Sequence, residues 1–215
     1  VERQTCDEAP IKELLKNQLH IIAEKIKNNL DSIENENICL LSDFERIGQL
    51  FKKAESLAAS FYLQCYLSSF TSHYSDLSVC VGHLMERRHG ALIVIERKDS
   101  LEEVLYSGVP IGAAISASLL EAIFYPGNPL HDGAVLVQGD RIASAANVLP
   151  LSSAVFEGKK IGMRHRAAIG LSERTDALVL VVSEESGLAS FAYQGWLHPI
   201  HALETPHNPE TDVPV

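Results

Sequence analysis

Residues Gly133–Val148 read GAVLVQGDRIASAANV, and the division of this stretch decides the fold. Ala134 to Val137 form an apolar run of strand length, Gly139-Asp140 supplies a turn, and Ile142 to Val148 follow as a second run, so the whole reads as two strands of a hairpin. Two further runs, GALIVIER (Gly90–Arg97) and DALVLVVS (Asp176–Ser183), are rich in β-branched residues, as strands buried on both faces are. SASLLEAIF (Ser116–Phe124) and HRAAIGLSE (His165–Glu173) read as helices between them. The expected class is α/β, with a mixed central β-sheet flanked by helices.

Outward toward the N-terminus the periodicity changes near residue 75. Ile11, Leu14, Leu15, Leu19, Ile22, Ile26, Leu30 and Ile33 recur in steps of three and four, the spacing of one helix face. After ENEN, Ser42-Asp43-Phe44-Glu45 has the form of a capping box, and Phe44, Ile47, Phe51, Ala54, Leu57, Ala58 and Phe61 repeat the spacing. Two such helices joined by a short loop make an antiparallel helical hairpin. The expected organisation is this hairpin over residues 1–75, serving regulation or oligomerisation, a second domain over 76–202, and a flexible tail over 203–215.

Composition narrows the function. The 215 residues carry a formal net charge of -10, which argues against broad electrostatic binding to nucleic acid. Cys6, Cys39, Cys65 and Cys80 show neither metal-knuckle spacing nor a disulfide framework, which fits a reducing compartment. Val104–Leu120 lacks charge, but Pro110 and its glycines and serines interrupt it and Glu121 follows at once, so it reads as buried structure rather than a membrane span. No secretory signal is read at the N-terminus.

Three polar clusters sit beside the strands. Leu130-His131-Asp132-Gly133 precedes the hairpin, where Asp-Gly suits either a plain turn or a site needing close backbone approach. Arg164-His165-Arg166 opens a helix in an otherwise acidic chain, and either holds an anion such as phosphate or pairs with nearby surface carboxylates. Ser183-Glu184-Glu185-Ser186-Gly187 follows a strand and reads as a solvated turn or as a source of a metal-binding carboxylate. His198 and His201 lack fixed spacing for a metal site. Tyr193 and Trp196 read as packing at a sheet edge, and the small residues Gly108–Ala117 are candidates for a wall of an apolar pocket.

Taken together, LHDGA (Leu130–Ala134), RHRAA (Arg164–Ala168) and SEESG (Ser183–Gly187), preceded by GALIVIER, resemble the diadenylate cyclase domain over about residues 80 to 200. With its helical hairpin and no membrane helices, the chain is similar to the sporulation-type cyclases of Bacillus-like bacteria. One departure stands out: Met163 occupies the position where the family commonly has threonine before Arg-His-Arg.

The resemblance implies that two ATP molecules are joined into cyclic di-AMP across a face-to-face homodimer, with higher-order assembly through the hairpin. It implies no membrane or nucleic-acid partner and a cytoplasmic location. Asp132, Gly133, Arg164, His165 and Arg166 are then the catalytic candidates. Gly133, Ala134, Arg164, His165, Arg166, Ser183 and Glu184 contact the nucleotide, and His131, Asp132 and Glu184 hold a divalent cation, Mg or Mn. The competing reading is a nucleotide-binding sensor or scaffold that has lost turnover, for which Met163 is the one sign.

Overall fold

The strands expected from the apolar runs form as β1 (Ala91–Ile95), β3 (Ala134–Gln138), β4 (Arg141–Asn147) and β5 (Leu178–Val182). A computed structural model describes residues 9–32, 40–154 and 161–200. Three more strands join these four: β2 (Val109–Ala114), β6 (Ala189–Tyr193) and β7 (Trp196–Ile200). The seven-stranded sheet has the order β2-β4-β3-β1-β5-β6-β7. Only β1 and β3 pair in parallel, while all other neighbours are antiparallel, so the sheet is mixed.

Burial follows from this order. β1 and β5 lie in the middle and are buried along their whole length. Leu92 and Val94 of β1 and Val179 and Val181 of β5 share a core with Ala167, Ala168 and Leu171 of helix α5 (Met163–Ser172). The alternate strand residues face the other side. There α3 (Tyr74–Arg87) packs on β5 and on α4 (Ala117–Ile123). Glu121 of α4 accepts from His83 and Arg87 of α3, both at 2.7 Å, and these bonds, His83 first, hold its carboxyl below the usual range.

The N-terminal helices are α1 (Ala9–Ser32) and α2 (Leu40–Ser68). Ile22, Ile47, Leu50 and Ala54 form a small core between them, while Leu14, Leu19, Ile26, Leu30, Phe44 and Phe51 are exposed. Contacts divide the chain into units 1–65 and 66–215. Tyr66 and Phe70 explain why. Their rings, with Tyr193, surround the Arg97 guanidinium at 5.6, 4.6 and 5.2 Å, tying this segment to the sheet.

Several local readings are corrected. α2 begins at Leu40, so Ser42–Glu45 falls inside the helix instead of capping it. Val104–Leu120 is not buried structure throughout, because β2 is an edge strand and four of its six residues, Val109, Pro110, Gly112 and Ala114, are exposed. Helix α3 was not expected, although Leu77, Val81 and Leu84 have helical spacing and are buried. Its ends carry weak signals: His73 makes no side-chain cap, and a left-handed Arg88 closes it where glycine is usual. Cys80 is a buried free thiol, but Cys65 is disulfide-bonded. Spacing rules recognise only local cysteine patterns and did not reveal that bond. The expected tail, 203–215, and His201 lie outside the described residues.

Candidate active site

Topology brings the three polar clusters to one edge of the sheet. Because β1 and β3 run in parallel and β5 runs against them, the starts of β1 and β3 and the end of β5 share that edge. His131-Asp132-Gly133 therefore lies in line with Gly90 and, one strand further, with Ser183-Glu184. Neighbouring strands are about 4.8 Å apart, so Asp132 and Glu184 are separated by about two strand spacings at the backbone.

Gly133 must be glycine for two reasons. Its φ of +105° lies where side chains are strained, and a β-carbon would come within 2.8 Å of the backbone of Ala146 and Asn147. Ala134 is buried below it, and its carbonyl accepts from Asn147 Nδ2 at 2.8 Å. Ala134 thus supports the turn from within and does not reach the surface where a nucleotide contact was expected. Asp132 is exposed. The Nδ1 of His131 donates to the carbonyl of Asn128, which leaves Nε2 as the ring nitrogen able to act as ligand or acceptor.

The other half of the edge is a cleft of about 1230 Å³, larger than the 300 to 1000 Å³ or so of typical small-molecule sites. Its lining includes Met163, Arg164, His165, Ser183, Glu184 and Trp196. α5 opens on Gly162 without a side-chain cap and without an acidic residue in its first turn, so its first backbone N–H groups remain available to an anion. Arg164 Nη1 donates to Glu184 Oε2 at 2.9 Å, and Arg164 Nε is buried without a hydrogen-bond partner among the described residues. Burial lowers the pKa of His165, with Glu185 opposing, so its imidazole is neutral near pH 7.

Not every candidate points into this cleft. Arg166 Nη2 donates to the Ser152 carbonyl at 2.9 Å, and Ser152 N donates to the Arg166 carbonyl at 3.0 Å, so Arg166 fastens α5 to the preceding segment. Ser183 Oγ accepts from Ser186 N at 3.2 Å and organises the turn that aims Glu184 at Arg164. Trp196 is 74 % exposed on the cleft rim, not packed at the sheet edge, whereas Tyr193 does pack, 5.1 Å from Tyr66. His198 stacks on Phe191. The Gly108–Ala117 strand sits at the opposite end of the sheet from the cleft, which removes it as a wall of that cavity.

The three residues expected to hold a cation stand at two places on this edge. Among the described residues no three His, Cys, Asp or Glu side chains gather as a metal group. His131 and Asp132 precede β3, while Glu184 follows β5 with β1 between them and is engaged by Arg164. An imidazole nitrogen and a carboxylate, as at His131 and Asp132, are donor types that a divalent ion takes.

Residues 79–197 match the family described as DisA bacterial checkpoint controller nucleotide-binding, and residues 2–70 match that described as diadenylate cyclase CdaS, N-terminal. The chain belongs to the diadenylate cyclase family. It is 47 % identical to diadenylate cyclase CdaS of Bacillus thuringiensis over 86 % of this chain and 92 % of that one. With cyclic di-AMP synthase CdaS of Bacillus subtilis the identity is 46 %, over 88 % and 93 %. A crystal structure described as a hypothetical membrane spanning protein from Bacillus cereus superimposes with a TM-score of 0.75 at 46 % identity, covering 89 % of this chain and 94 % of that one. Among the described residues here, no helix is long and apolar enough to cross a membrane.

Proposed function

We propose that this diadenylate cyclase condenses two ATP molecules into cyclic di-AMP across a face-to-face pair of chains, releasing two pyrophosphates. The observation that carries the pairing is the separation within one chain. Asp132 and His131 stand outside the cleft that holds Arg164, His165 and Glu184, so the groups for activating a hydroxyl and for gripping phosphates do not converge in one cavity.

In each half-reaction the 3′-hydroxyl of one ATP attacks the α-phosphorus of the other. A P–O bond forms, the bond to pyrophosphate breaks, and the hydroxyl proton passes toward the Asp132 carboxylate. Arg164 and the open N-terminus of α5 hold phosphate oxygens, and Gly133 lets the backbone approach the nucleotide closely. Neutral His165 offers a hydrogen bond without adding charge. Arg166 acts through α5, by fixing where its first turn lies. Mg or Mn on His131 and Asp132 would supply neutralisation of charge on the triphosphate.

The helices of residues 1–75 restrain activity by holding chains in an unproductive assembly, and the enzyme works in the cytoplasm. Support for the first reading is the apolar surface on α1 and α2 that their own small core leaves exposed. Purified protein incubated with ATP and Mg²⁺ or Mn²⁺ should give cyclic di-AMP by chromatography, and Asp132→Asn should fold, bind ATP and make none. Cyclisation by Asp132→Asn at the normal rate would remove the assigned role.

A further inference from the structure

The glycine that opens GALIVIER, just before β1, contributes to the site in a way that reading the stretch as a buried strand does not show. Gly90 is buried, and a β-carbon placed on it would lie 2.5 Å from Arg164 Nη1, 2.9 Å from Arg164 Cζ and 3.2 Å from Glu184 Cβ. The Arg164 guanidinium therefore lies across the bare α-carbon, and Glu184 Oε2 holds it at 2.9 Å. Gly90 does not have the positive φ that would demand glycine for its backbone. The three atoms nearest the absent β-carbon all belong to side chains, in contrast to Gly133, where the nearest three are backbone.

We propose that Gly90 is a positioning residue for the cyclase reaction: its missing side chain provides the seat on which Arg164 is held at the edge of the cleft. The inference rests on the reading of Arg164 as a holder of ATP phosphate. An alanine is compatible with the path of β1, but its methyl group and the guanidinium cannot share the space. The long arginine side chain can swing aside, while the strand and helix remain in place. A phosphate-gripping group displaced by about 1 Å loses much of its value to catalysis.

The test compares wild type, Gly90→Ala, Arg164→Ala and the double variant by ATP kinetics and thermal unfolding, using the full chain. Arg164→Ala should lower kcat/KM by about 10- to 100-fold, the worth of one charge-assisted contact. Gly90→Ala should melt within about 2 °C of wild type and lower kcat/KM at least about 5-fold, with the loss on the same parameter, kcat or KM, as in Arg164→Ala. The double variant should be within about 2-fold of Arg164→Ala alone, because once the arginine is gone the seat has no occupant.

Losses that multiply in the double variant overturn the proposal, as does a Gly90→Ala protein that fails to fold, since the glycine would then serve the backbone. An impaired Arg164→Ala beside an unimpaired Gly90→Ala overturns this inference alone. Wild-type kinetics in Arg164→Ala sink the phosphate reading and this inference with it.

Discussion

His165 shows how one position in the cleft acquires its chemistry. The imidazole sits in the first turn of α5, where burial disfavours the charged form and Glu185 only partly offsets that cost, so its pKa falls below the ordinary 6.5. The folded chain then binds this proton less readily than the unfolded chain. Above the ordinary value both states are neutral and His165 adds no pH dependence. As pH falls from about 6.5 through the lower folded value, the unfolded state binds more protons and stability is lost. Thermal unfolding between pH 7.5 and 5 should therefore slope less steeply in His165→Gln than in wild type, and parallel slopes would contradict the burial argument. The sequence made His131, Asp132, Arg164 and Glu184 legible because unusual residues stand at strand and helix ends. It could not divide their labour. That Arg166 turns to Ser152, that Ala134 is buried and that Gly90 lies beneath Arg164 are contacts between segments distant in sequence.

Among the elements, the legible ones were those with one decisive pattern. β1, β3 and β5 are apolar runs because both sheet faces are covered, and α1 shows a clear helical stripe. β2 escaped notice because an exposed edge needs no apolar run, and β6 and β7 because Ser190, Tyr193, His198 and Pro199 interrupt the pattern. The segment after α2 matters for testing the hairpin. Besides Tyr66 and Phe70 on Arg97, Thr71 Oγ1, Ser72 N and Ser72 Oγ donate to the Asp140 carboxylate at 3.0, 2.7 and 3.0 Å. Cutting at Ser75 would remove all of these. A chain beginning at Tyr66 keeps them, and it should stay folded, change oligomeric state by light scattering and make several-fold more cyclic di-AMP per chain. A folded chain of that kind with lower activity would show that the helices build the productive assembly instead of restraining it.

At the scale of the whole molecule, the proposed reaction asks each chain for half of what closing the ring requires, one nucleotide held and one Asp132. The sheet order imposes this, since β1 keeps the turn before β3 apart from the turn after β5. In the proposed pair, two copies about a two-fold axis would bring each kind of group to both nucleotides. Equal amounts of wild type and Asp132→Asn, allowed to exchange chains and then assayed at fixed total protein, test this most directly. With random pairing only about one pair in four is wholly wild type, so cyclic di-AMP production should fall to about a quarter of the all-wild-type rate. Production at about half that rate, following the amount of wild-type chain alone, would mean that each chain carries a complete site and would contradict the account.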